Sequence, residues 1–116
     1  MTKAVVLVVE DEPIIRMNAV AIIEDAGYEV VEAANADDAI VLMERRSDID
    51  VVFSDIEMPG SIDGLKLIHL IRLRWPPVIL ILASGRVSPA IADMPPATVF
   101  LLKPYQEAAL LRALPS

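Results

Sequence analysis

Five short apolar runs, at 4–9, 29–33, 51–54, 78–82 and 98–102, alternate with amphipathic stretches along the chain. Each run is rich in Val, Ile or Leu and ends near polar, Gly or Pro residues. Three are apolar almost throughout, the pattern of strands covered on both faces. Residues 13–26 open with Pro13 and close before Gly27, the usual asymmetry of helix ends. Ile15, Ala19, Ile22, Ile23 and Ala26 share one face of that helix. A second helix starts at Asn35 or Ala36 and runs to Arg46, with Ala39, Ile40 and Met43 inward. Asp63 caps a third, which runs to about Leu73 and buries Leu67, Ile68 and Ile71. Residues 88–93 suit only a shortened fourth helix, hemmed by Pro89, Pro95 and Pro96. Residues 105–114 make the fifth. The order is five βα units, so the predicted fold is α/β: a doubly wound five-stranded parallel sheet with helices on both faces.

A chain of 116 residues is the size of one compact domain, and 1–116 is read as a single unit. With 55% hydrophobic residues it can bury a real core, which excludes a disordered chain. Seventeen Asp and Glu stand against ten Lys and Arg, a net charge of −7. Direct binding to nucleic acid is therefore not expected, because phosphate backbones are held by clustered cations. Without cysteine there are no disulfides, thiolate zinc sites or Cys nucleophiles, and one histidine excludes a multi-histidine metal site. No signal peptide or membrane-length apolar run is seen, so the expected location is the cytoplasm and no membrane partner is expected.

In such a sheet, ligands bind beyond the carboxyl ends of the strands. The first strand ends in Glu10-Asp11-Glu12, the third in Asp55, the fourth in Ser84-Gly85 and the fifth in Lys103-Pro104. Several carboxylates, a hydroxyl and a lysine thus converge on one edge. Converging carboxylates repel and need a cation between them. A ligand set of oxygen atoms alone selects a hard ion, Mg²⁺ or Mn²⁺, and magnesium commonly shares its shell with phosphate. Lys103 would balance negative charge, and the Ser84 hydroxyl could bond a phosphoryl oxygen. A carboxylate beside such an ion can act as nucleophile, and Asp55, which ends the most apolar strand, is the candidate.

Glu10-Asp11, Asp55 followed by Met58-Pro59, Asp63-Gly64, Ser84-Gly85 and Lys103-Pro104 resemble the motifs of bacterial response-regulator receiver domains over essentially the whole chain. The resemblance implies a flavodoxin-like (βα)5 fold with strand order 2-1-3-4-5, like that of a chemotaxis receiver. It implies a signalling phosphoacceptor of a two-component system or phosphorelay rather than a metabolic enzyme. A sensor histidine kinase or histidine phosphotransfer protein would be the donor, with Mg²⁺ required. By the same resemblance Asp55 is the phosphorylation site, and Asp11 and Asp55 are direct Mg²⁺ ligands with the Glu57 backbone carbonyl. Glu10 acts through water, Lys103 pairs with the phosphoryl group, Ser84 moves to bond it, and Phe100 is the aromatic switch position. The Lys103-Pro104 bond is expected to be cis.

Three departures stand beside the match. The loop 58–64 has one residue more than the usual Met-Pro-x-x-Asp-Gly pattern. The segment from Ser84 to Lys103 is short and carries three prolines. The sequence holds no output domain, so a stand-alone receiver and one domain of a longer protein are both open. A downstream partner or a second copy is expected to dock on the fifth-helix face, where Leu110, Leu111 and Leu114 cannot all point inward. By the same resemblance Glu57 and Arg86 flank the approach of the hydrolytic water; opposite in charge, they either pair across the mouth of the site or stand as two independently solvated side chains. His69 and Trp75 read as surface or packing residues. Two other readings remain: a small phosphatase of the haloacid dehalogenase type, which also combines an Asp nucleophile, Mg²⁺ and a Lys, and an interaction module that is never phosphorylated.

Overall fold

The computed structural model of the chain describes residues 4–56, 64–85, 94–95 and 97–115. Five parallel strands form one sheet: β1 (Val5–Val9), β2 (Glu29–Ala33), β3 (Ile49–Asp55), β4 (Ile79–Ser84) and β5 (Val99–Leu102). Their order is β2-β1-β3-β4-β5, as expected from the resemblance. Four helices accompany them among the described residues: α1 (Pro13–Asp25), α2 (Ala36–Arg45), α3 (Gly64–Arg74) and α4 (Glu107–Ala113). The expected short helix at 88–93, the capping by Asp63 and the turn at Met58-Pro59 lie outside the described residues. Among the described residues, no helix is long and apolar enough to cross a membrane.

Strand alternation divides the core between the two faces of the sheet. Val5, Leu7 and Val9 of β1 pack with Ala39 and Met43 of α2 and with Leu67, Ile68 and Ile71 of α3. Val6 and Val8 face the other way, toward Ala19 and Ile23 of α1 and Leu110 of α4. The central strands are therefore buried on both sides apart from Asp50 near the start of β3, and the other exposed strand positions lie on the edge strands β2 and β5. Asn35 caps α2 by accepting the Asp38 backbone N–H at 2.8 Å, which settles the start of that helix at Ala36. Pro13 opens α1, and Gly27, with a φ of 98°, follows its end.

Three expectations change. β3 starts two residues before the apolar run, at Ile49, because Asp50 interrupts the pattern without interrupting the strand. The register shifts there, and the Asp50 carboxylate accepts the Val5 backbone N–H at 3.0 Å. The last helix is shorter than 105–114. The Tyr105 ring packs edge-on against Phe53, and Leu114 turns extended before Pro115. Ile15 shares the sheet-facing side of α1 with Ala19, lining the small space beside Val9 and Phe53, but it is not fully buried: it is 42% exposed.

Candidate functional site: a strand-end carboxylate and lysine cluster

Strand register brings the predicted residues to one edge. Val9 lies level with Ala33 and Ser54, Asp55 with Ala83, and Ser84 with Leu102. The residues after Val9 and Leu102, Glu10 and Lys103, therefore reach the same rim as Asp55 and Ser84. The chain is stitched there by backbone hydrogen bonds from Ile56 N–H to the Ala83 carbonyl and from Lys103 N–H to the Ser84 carbonyl, 2.9 and 2.7 Å long.

Glu10 and Asp55 are almost fully buried, at 5% and 6% exposure. The Lys103 ammonium lies between them, 3.2 Å from Glu10 Oε2 and 3.0 Å from Asp55 Oδ1. The Glu12 backbone N–H donates to Glu10 Oε1 at 3.2 Å. Burial pushes the Glu10 carboxyl above its usual range and the Asp55 charge adds to this, against the opposing pull of the Glu12 amide and Lys103. Burial alone would lower the Lys103 pKa; the hydrogen bond and charge of Asp55, then Glu10, outweigh it and hold the ammonium above its usual value.

Asp11 completes the cluster at the half-exposed rim. One carboxylate oxygen from each of Glu10, Asp11 and Asp55 lies within 4.8 Å of the others. Oxygen donors alone, two buried and one facing solvent, fit a hard divalent ion that keeps part of its water shell. The Glu57 carbonyl, and any pairing of Glu57 with Arg86, lie outside the described residues.

Gly64 holds the floor of the site in a way that residue spacing could not reveal. A Cβ on this residue would sit 1.8 Å from the Asp55 carbonyl oxygen and 2.9 Å from the Ile56 Cα. Its N–H donates to the Ile56 carbonyl at 3.0 Å, so α3 begins directly against the backbone that carries Asp55. Gly85 is different, with open space where its Cβ would be. Ser54 donates its hydroxyl to the Asp55 carbonyl at 3.0 Å, a buried contact also missed in the sequence.

The two positions that the resemblance assigns to switching occupy contrasting settings. Ser84 is buried at the end of β4, within the stitched rim. Phe100 is half-buried on the edge strand, level with Leu82. The Lys103-Pro104 bond is cis, as the resemblance implied. The expected apolar patch on the last helix is largely absorbed by the core: Leu110 and Leu114 are buried and Leu111 is half-buried against the α1 side. Among the described residues, the most exposed apolar side chains near the site are Ile14 and Met17 of α1, at 79% and 66% exposure, followed by Leu102 and Ile15. His69 is exposed on α3, and Trp75 packs at the amino-terminal end of the sheet with the Arg74 guanidinium 4.4 Å from its ring.

The response regulator receiver domain model matches residues 6–115. The sensor kinase CckA of Brucella abortus is 39% identical over 106 residues, 88% of this chain and 11% of that protein. The response regulator protein FleR of Pseudomonas aeruginosa is 38% identical over 111 residues, 93% of this chain and 23% of that protein. The chain thus spans less than a quarter of the length of these curated relatives. The crystal structure of a response regulator receiver protein from Sinorhizobium medicae superposes with a TM-score of 0.90 at 26% identity, covering 97% of this chain and 91% of that one.

Proposed function

This chain belongs to the response-regulator receiver family of two-component systems, and on that premise we propose that Asp55 is its phosphoacceptor and the rim around it a Mg²⁺-dependent switch. The observation that carries this reading is the Lys103 ammonium 3.0 Å from Asp55 Oδ1, with Asp11 and Glu10 beside the same carboxylate. Asp11, Asp55 and the Glu57 carbonyl would hold the ion, with Glu10 acting through water. When bound, it would neutralise charge on the phosphoryl oxygens.

An Asp55 carboxylate oxygen attacks the phosphorus of a donor phosphohistidine. The new O–P bond forms as the P–N bond breaks, and the electron pair stays on the imidazole nitrogen, which takes a proton from solvent. Lys103 then offers its ammonium to the phosphoryl oxygens, and the Ser84 hydroxyl turns to donate to another. Glu10 keeps the ammonium on the rim when Asp55 is modified, because it grips the same nitrogen at 3.2 Å. Water later attacks phosphorus, the O–P bond breaks, and carboxylate and inorganic phosphate are released. Movement of Ser84 and half-buried Phe100 passes the state of Asp55 to β4 and β5.

The donor, a sensor histidine kinase or histidine phosphotransfer protein, would meet Ile14 and Met17, apolar side chains directly after the acidic loop. The downstream partner or second copy would meet β5 and α4, where Val99 and Leu102 are exposed.

Incubation with Mg²⁺ and acetyl phosphate should add one phosphoryl mass to the intact protein, and chelator or Asp55→Asn should abolish it. Sustained turnover of a phosphomonoester with no phosphorylated protein would overturn this reading in favour of the phosphatase.

A further inference from the structure

Arg16 brackets the acidic loop. Its backbone N–H donates to the Glu12 carbonyl at 2.9 Å, the ordinary first bond of a helix. Its side chain reaches back, and Nη1 donates to the Glu10 carbonyl at 2.7 Å. Nε donates to Glu32 Oε1 on β2 at 3.1 Å, which fixes the guanidinium plane. The carbonyls on either side of Asp11 are thus tied to one residue. The Glu10 N–H is in turn held by the Ala33 carbonyl at 3.1 Å, so the loop cannot rotate without breaking bonds at both ends.

We propose that Arg16 is a positioning residue for the Mg²⁺ site: it fixes the backbone at residues 10–12 so that Asp11, the half-exposed member of the cluster, stays turned toward Asp55. This rests on the metal site proposed above. Partners that orient metal ligands typically set affinity by about tenfold or more. An effect of charge alone has the opposite sign, since removing a cation near a Mg²⁺ site would tighten binding. Glu32 offsets that charge, so geometry is what the pair contributes. Lysine offers a single ammonium on a flexible stem in place of a planar fork, so it would hold the Glu10 carbonyl and Glu32 less rigidly than the guanidinium does.

Mg²⁺ titration followed by amide chemical shifts, without any phosphodonor, tests the proposal, with urea midpoints measured alongside. Arg16→Ala should bind Mg²⁺ about tenfold more weakly at both low and high salt, Arg16→Lys should fall in between, and Glu32→Gln should lie within about twofold of wild type at high salt. Wild-type or tighter affinity in Arg16→Ala would overturn the clamp while leaving the site assignment intact. Should Arg16→Ala not fold, Arg16→Lys decides: intermediate affinity supports the clamp and unchanged affinity overturns it. A wild-type protein that binds no Mg²⁺ would overturn the site reading and the clamp together.

Discussion

A single missing methyl group decides where α3 can begin. Alanine for glycine within a helix ordinarily gains about 1 kcal/mol from propensity alone. At Gly64 the added Cβ would meet the Asp55 carbonyl oxygen at 1.8 Å, and backbone rather than a flexible side chain would have to move. Gly64→Ala should therefore destabilise by about 2 kcal/mol or more, whereas Gly85→Ala should change stability by no more than about 0.5 kcal/mol. Urea midpoints of the two variants check both. Glu10 sets a second test at this scale. Its folded-state pKa lies above the ordinary value of 4.5, so between the two the folded chain holds a proton that the unfolded chain has released. Stability from this group is whole below 4.5 and lost as pH rises through the raised value. Urea midpoints from pH 4 upward should show that decline in the wild type and a flatter profile in Glu10→Gln; parallel profiles would contradict it. The raised Lys103 pKa acts at the other end, its contribution being lost only as pH climbs through a value above 10.5.

Elements whose role is to be buried were the most legible in the sequence. The apolar runs located all five strands, and Leu67, Ile68 and Ile71 are fully buried on α3, because a two-sided core leaves no choice of face. Elements that meet solvent or a partner were less so. Helical periodicity placed Ile15 inward, yet on the sheet-facing side it stays 42% exposed, and the pattern cannot record how completely a residue is covered. Ile14 and Met17 are exposed next to the acidic loop. Replacing both with Asp should leave the urea midpoint close to wild type and phosphorylation by acetyl phosphate intact. It should slow transfer from a histidine kinase that phosphorylates the wild type by about tenfold or more, because truncating a few central contacts accounts for most interface energy. Equal rates from the kinase would place the donor elsewhere. The last helix is the reverse case: leucines at adjacent positions implied an exposed patch, but the short α4 buries Leu110 and Leu114 and half-buries Leu111.

At the scale of the molecule, the strand ends made the site readable and tertiary distance hid its supports. Glu10, Asp11, Asp55, Ser84 and Lys103 could be found by asking what each strand delivers to its carboxyl end, since parallel strands in register share one rim. The return of Arg16 to the Glu10 carbonyl and the seat of Gly64 against Asp55 depend on approach angles that no spacing encodes. In the proposed switch, the state of Asp55 is passed across this rim to β4 and β5 through Lys103 and Ser84. Amide chemical shifts of the Mg²⁺-loaded protein, recorded before and after adding beryllofluoride as a stable phosphoryl mimic, test it most directly. Changes are expected at Ser84, Phe100, Leu102 and Lys103 as well as at Asp55, with the β5 changes lost in Lys103→Ala and all of them lost in Asp55→Asn. Changes confined to Asp11 and Asp55, or changes on β5 that survive Lys103→Ala, would contradict it.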